Sequence, residues 1–262
     1  MTTAAISYPL SGTPPIGNSS GFIEVADNDT LYRPIVPVGT VMAYNHPVYG
    51  SGTAIRLAVP VNTTAITTGQ LAIAAAATNA GILSNYSYVI CPVTASQNKP
   101  VYIALNAIPN NTTAVQYAWF GVTGTSPVRS IVSTAITDKL HISGTAGTVF
   151  VTATLGRILI GLTPVVASTA TFTVANVRTQ AGSPNLGVTS SDGMFVGQSV
   201  SGTGITTSNI TAISPDGYTV TLASNSTITG STTATVTMNG GGALHYPICQ
   251  YSNGITAQFL AT

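Results

Sequence analysis

The chain has 262 residues with 7 Lys+Arg against 6 Asp+Glu, so only 5% is charged, while hydrophobic types reach 44%. Seven scattered cations cannot build the basic face of a nucleic-acid binder, and high hydrophobicity with almost no net charge is the reverse of a disordered composition. No apolar run approaches the roughly 20 residues of a membrane-spanning helix, Met1–Leu10 lacks the cations of a signal peptide, and two cysteines, Cys91 and Cys249, make no disulfide scaffold.

Residues 1–40 read as an extended arm. Pro9, Pro14, Pro15, Pro34 and Pro37 interrupt any regular element, because proline fixes φ and lacks a backbone donor. Glu24, Asp27 and Asp29, half of the acids, precede Arg33. From about 52 to 150 the pattern becomes one of short strands: Thr53–Val59, Leu71–Ile73 after a Gly69-Gln70 turn, Tyr86–Ile90, Val101–Leu105 and Tyr117–Val122. Pro127–Val132, Lys139–Ile142, Val149–Thr154 and Arg157–Gly161 continue the series. No stretch of 12 or more residues holds a helical period, and strands at this spacing, separated by Gly, Pro and Asn, predict an all-β sandwich or barrel.

Residues 170–242 differ in texture. Thr171–Val174, Val196–Val200, Ile210–Ile213, Tyr218–Leu222 and Ala234–Met238 alternate tightly and are rich in Thr, with turn signals at Asp192-Gly193 and Asp216-Gly217. Leu244–Gln250 then returns as a strand. The expected organisation is an N-terminal arm (1–40), a main β domain (41–169 plus 243–262) and a small β module inserted at 170–242. A surface with so little charge offers weak repulsion against self-association, which suits a protein buried against its own copies or a large partner.

Two stretches carry a resemblance. Gln116-Tyr-Ala-Trp119-Phe-Gly-Val-Thr-Gly124 followed by Ser126-Pro-Val128 resembles the strand-and-turn of small tailed-phage head decoration proteins, with Leu155-Gly-Arg157-Ile-Leu-Ile-Gly161 as a looser match to a later hairpin end. Met194-Phe-Val-Gly-Gln-Ser-Val-Ser-Gly-Thr-Gly-Ile205, followed by the Thr-rich Tyr218–Leu222, is similar to a module common in phage structural proteins. The residues that carry it are 116–128, 155–161, 194–205 and 218–222. The resemblance implies a noncatalytic cement protein on the outer surface of an icosahedral capsid in the virion. Its partners would be the major capsid protein and itself, as a trimer or dimer, with no nucleic acid and no membrane. The long arm exceeds what a minimal decoration protein needs. A tail-fibre, spike or host-surface-binding module is the alternative, although neither repeats nor a coiled-coil stalk are visible. A shell subunit of the common tailed-phage type would need a long helix.

Catalytic and metal chemistry find no pattern. His46, His141 and His245 are the only imidazoles, and none has a second His at ligand spacing. Every Ser is a candidate nucleophile, so none stands out. Gly50-Ser-Gly52 lacks the Lys and context of a phosphate loop. Cys91 and Cys249 read as small buried hydrophobes. We therefore expect no catalytic residues, no metal and no cofactor. Function is sought in surfaces, where Arg33, Arg56, Arg129, Arg157 and Arg178 are rare charges able to fix an interface. Arg33, Pro34 and Pro37 are the expected capsid-docking residues, and Tyr117, Trp119 and Phe120 form either an interface or a core cluster.

Overall fold

A computed structural model describes residues 24–25, 39–46, 49–59, 65–74, 88–90, 100–105, 108, 116–153, 157–214, 216–240 and 245–258. The protein is all-β: these residues form strands, turns and irregular segments, with no helix among them. The residue types explain this, because β-branched Thr, Val and Ile are stiff at χ1 and fit a pleated surface better than a helix.

The first group of strands comprises β1 (Glu24–Val25), β2 (Val41–His46), β3 (Gly50–Val59), β4 (Leu71–Ala74), β5 (Tyr88–Ile90), β6 (Pro100–Ala104), β7 (Gln116–Pro127), β8 (His141–Ile142), β9 (Val149–Phe150), β10 (Ile158–Val166) and β17 (Ile248–Gln258). They make one sheet with the path β2-β3-β7-β6-β17-β10-β8-β9, to which β1, β4 and β5 attach. Its spine is β7. One edge of β7 pairs with β3 from Gln116 to Thr123, while the other serves three partners in turn. Those partners are β1 at Gln116 and Tyr117, β6 at Phe120 and Gly121, and β17 from Gly124 to Pro127.

The sheet is covered on both faces around β3 and β7. Leu57, Val59, Ala118 and Phe120 pack with Ile66 and Ile108 on one side. Ala54 and Trp119 pack with Tyr44 and Leu105 on the other. A third cluster, including Ile103, Leu140, Val149, Cys249 and Tyr251, fills the region where β6 and β17 meet the segments that follow β7.

The second group is β11 (Thr171–Thr179), β12 (Asn185–Gly187), β13 (Ser199–Gly202), β14 (Ile205–Ile213), β15 (Thr219–Leu222) and β16 (Gly230–Thr237), which close into a barrel in the order β11-β12-β15-β14-β13-β16. Period-two alternation directs Val220 and Leu222, Val200, Ala234 and Val236 inward. A bulge between Val174 and Val177, with Asn176 at φ 57°, bends β11 as closure requires. Outside, register aligns Thr171, Thr237 and Ser199 in one rank and Thr173, Thr235 and Ser201 in the next. Hydroxyls, not charges, therefore solvate this wall. The strands flanking the barrel in sequence, β10 and β17, pair with each other along their length, so the barrel interrupts the sheet at one point.

Several expected elements shift. Pro127–Val132 is not a strand: β7 ends at Pro127, and the next amides go to different segments. The amides of Val128, Arg129, Ser130 and Ile131 donate to Pro247, Gly69, His245 and Val149 carbonyls respectively, which satisfies the backbone without one continuous ladder. Val196 lies in a turn before β13, whereas β2 and β12 are strands that the sequence pattern did not mark. Of the expected arm only Glu24–Val25 and residues 39–40 are described. Glu24 and Val25 are in register with Tyr117 and Gln116.

Candidate functional site

Arg33, Pro34 and Pro37 lie outside the described residues, as does Cys91. Tyr117, Trp119 and Phe120 are side by side on β7, and all are buried. Phe120 faces the cluster of Leu57 and Ile108, and alternation sends Trp119 to the opposite face beside Tyr44. The structure thus uses them as core. Arg56 is a different case from the exposed interface cation read in the sequence: it is only 3% exposed, on the β3 face that carries Ala54. Its guanidinium lies over the Tyr117 ring, 5.0 Å from the centroid. Burial raises the Tyr117 phenol, and the nearby cation opposes that shift. Arg129 Nη1 donates to Thr67 Oγ1 at 2.9 Å, and Arg178 is exposed on the barrel.

Among the described residues the reactive side chains do not converge. Among the described residues no three His, Cys, Asp or Glu gather at metal-binding distance. His141 is buried with its ring edge-on to Phe150 at 6.2 Å. Desolvation lowers the pKa of His245, favouring the neutral ring. Cys249 is a free, fully buried thiol whose pKa burial pushes far up, so thiolate chemistry is suppressed. Ser130 is also fully buried. Its hydroxyl reaches the Val132 and Val149 carbonyls at 2.8 and 3.1 Å and accepts from Thr134 Oγ1 at 3.2 Å, which makes it a latch for the crossing segment after β7. Asp138 Oδ2 accepts from the Ala135 amide at 2.7 Å and so fixes its own turn.

Three surface features remain. The first is β2, whose one partner strand among the described residues is β3. Its residues Val41–His46 carry no Lys, Arg, Asp or Glu, and Val41 is 55% exposed. Sheet edges are commonly guarded by charge or proline, and this stretch has neither. The second is an apolar surface beside β10. The Thr134 amide donates to Ser168 Oγ at 2.9 Å and the Ser168 amide to the Thr134 carbonyl at 3.0 Å. These bonds tie the turn carrying exposed Ile136 to the end of β10, where Val165 and Val166 are also exposed.

The third is a shallow polar depression at one end of the barrel, about 110 Å³ in volume, lined by Thr189–Asp192 and Asp216–Tyr218. Register brings its two loops together, with Gly187 opposite Thr219 and the Val188 amide donating to the Tyr218 carbonyl at 2.9 Å. Asp216 Oδ1 accepts from Ser214 Oγ at 2.5 Å and from the Tyr218 amide at 3.0 Å, and these bonds lower the pKa of its carboxyl. Gly217 at φ 74° makes the turn between them. In the other loop Ser190 Oγ accepts from the Asp192 amide at 3.0 Å. The next carbonyl, Gly193, accepts from Tyr49 Oη at 3.0 Å and from Gln198 Nε2, anchoring that loop from the sheet side and from within the barrel. Nearby, Phe195, Met238, Tyr246 and Ile248 form a small core between barrel and sheet, with the Phe195 and Tyr246 rings edge to face at 4.7 Å.

No protein-family model matches the chain, and the searches of curated proteins and of solved structures find no match either.

Proposed function

We propose that this chain is a structural, noncatalytic virion protein that binds the outside of an icosahedral phage head and stabilises it, associating with the major capsid protein and with copies of itself as a dimer or trimer. The observation that carries the reading is a nearly uncharged β surface that leaves apolar groups exposed on the sheet, at Val41 on a strand edge and at Ile136, Val165 and Val166 beside β10. Such a surface gains free energy when covered by a neighbour, at about 25 cal/mol per Å² of apolar area. Identical weak contacts repeated around a capsid joint add avidity without any strong single bond. The phage-like stretches at 116–128 and 194–205 support the same reading. The first forms the spine of the sheet; the second crosses from the loop after β12 through β13 into β14.

Deletion of residues 2–30 tests the docking role of the arm. The expected product keeps its β-rich circular dichroism but occupies decoration-free heads poorly, and wild-type occupancy would refute that role. Binding of the full chain should change little between 0.1 and 1 M salt, conditions that shorten the Debye length from about 10 to about 3 Å. A steep loss over that range would transfer the binding to the few arginines.

A host-surface-binding module of a tail fibre or spike is the second reading. The observation favouring it is the barrel-end depression with its exposed tyrosine. Labelling intact virions with antibody against the chain distinguishes the two: signal over the head supports the first, signal confined to the tail the second.

A further inference from the structure

We infer that β2 is the self-association edge of this protein: two copies join antiparallel through Val41–Asn45, about a two-fold axis at Ala43, and continue the sheet from one into the other. The inference rests on the association of copies with one another in the reading above, and not on the head to which they would bind.

The hydrogen-bond parity of the β2–β3 hairpin shows which groups the edge presents. The Arg56 amide points toward β2, where the Thr40 carbonyl accepts it at 2.9 Å, and the Thr53 amide points away, to Thr123 Oγ1 at 3.1 Å. Backbone groups alternate along an antiparallel pair. The residues of β2 opposite Ile55, Thr53 and Ser51, which are Val41, Ala43 and Asn45, therefore turn amide and carbonyl to the outer side. All three are exposed. Among the described residues no strand pairs with that side, and the β2–β3 register runs from Val41 to His46 without a bulge. Proline, bulges and charge are the usual guards of such an edge, and this one lacks all three.

An identical strand fits it. Antiparallel pairing about Ala43 sets Val41 against Asn45 of the second copy and Ala43 against its own equivalent, so every outward amide meets an outward carbonyl. Directly opposed residues share a face, and this register keeps the faces matched. Met42, half-buried against the cluster of Tyr44, Ala54, Leu105 and Trp119, then lies opposite Tyr44 of the second copy, a sulfur–aromatic pairing that carries the cluster across the axis. A two-fold axis also sets any charge near it against itself. The hairpin from Val41 to Ile55 holds no Lys, Arg, Asp or Glu, so nothing opposes the approach.

A joint made by one short strand falls at the small end of specific interfaces, below about 1,200 Å². A weak dimer is expected in free solution, with a Kd of about 10–500 μM. Copies held side by side on one particle meet at a high effective concentration, which closes the pair.

The test is sedimentation equilibrium of the full chain from about 5 μM to about 1 mM, a range that brackets that Kd. The expected result is a monomer–dimer equilibrium. Ala43→Lys sets two ammonium groups against each other at the axis and should weaken the dimer at least about tenfold with an unchanged urea midpoint. Ala43→Cys tests the register. Opposed residues of a hydrogen-bonded pair have Cα atoms about 5.5 Å apart, within the roughly 4.4–6.8 Å that a disulfide spans. Mild oxidation should therefore join two copies, whereas Val41→Cys should be joined only when mixed with Asn45→Cys; the wild type oxidised alongside accounts for any bridge from Cys91 or Cys249. A chain that stays monomeric to about 1 mM, association undiminished in folded Ala43→Lys, or no cross-link through Ala43→Cys would overturn the inference. So would a monomeric chain whose head occupancy is lost in Ala43→Lys, which gives the edge to a strand of the capsid protein. Tighter association after deletion of residues 2–30 would give it to the chain's own arm instead. Sedimentation is measured without heads, so a dimer that does not bind heads refutes the head reading and leaves this inference standing.

Discussion

Gly121→Ala puts the packing of the β17 residue Tyr251 against β7 under direct test. At Gly121 the added Cβ would collide with the hydroxyl of Tyr251 and stand 2.8 and 2.9 Å from two atoms of its ring. Tyr251 has nowhere to go. It is 1% exposed in the main core, and its Oη is 3.1 Å from Tyr44 Oη, which itself reaches the Thr123 carbonyl. Inserting one methyl into a closed site of this kind costs about 1–3 kcal/mol. For a chain of this size that lowers Tm by roughly 2–4 °C per kcal/mol. Tyr251→Phe alone loses the bond to Tyr44 and should cost about 1 kcal/mol. In the double variant the phenyl ring lacks the oxygen that the methyl strikes first, though two ring carbons remain close. The two changes should therefore be less costly together than the sum of the singles by about 1 kcal/mol, the coupling expected of touching residues. Urea unfolding of the four proteins, followed by Trp119 fluorescence, measures this cycle. Additive or synergistic losses would mean that the Tyr251 ring does not lie against Gly121.

Two further outcomes follow from the buried polar groups. Arg56→Lys keeps the charge but loses the flat guanidinium over Tyr117, so a destabilisation of about 0.5–2 kcal/mol is expected in urea unfolding; an unchanged midpoint would refute the stacking role. Burial raises the phenol pKa of Tyr44, Tyr49, Tyr246 and Tyr251, and the thiol pKa of Cys249, above their ordinary values. Between the unfolded and folded pKa of each group the native state holds a proton that the unfolded chain has released. The stability is thus fully present below the unfolded values, about 8.5 for Cys and 10 for Tyr, and falls as pH rises beyond them. Spectrophotometric titration should show part of the tyrosine absorbance change delayed until the protein unfolds in alkali. Free titration of all 11 tyrosines near pH 10 in a protein that remains folded would contradict that burial.

Much of the β architecture was legible because alternation is a local property. Tyr218–Leu222 and Ala234–Met238 place their Val and Leu inward and Thr outward, and these segments became β15 and β16 with small shifts at their ends. β12 was not legible, since three residues are too few to show a period, and β2 mixes Tyr, Asn and His without clear alternation. Arg56 was misjudged for a related reason. Alternation tells which residues of Thr53–Val59 share a face, but only the packing of Tyr44, Leu105 and Trp119 shows that the second face is covered as well. The barrel-end depression was hidden in plain turn signals. Asp192-Gly193 and Asp216-Gly217 each read correctly as turns, with both glycines at positive φ. Their meeting depends on the pairing of β12 with β15, which no local pattern encodes.

Whether this chain coats a phage head, as we propose, is decided by co-sedimentation of the purified protein with decoration-free heads, counting copies per particle. A head-coating protein saturates at a fixed stoichiometry set by the symmetry of the shell, with the dimer or trimer apparent in the ratio. Failure to pellet with heads, or a handful of copies confined to one vertex, would contradict it.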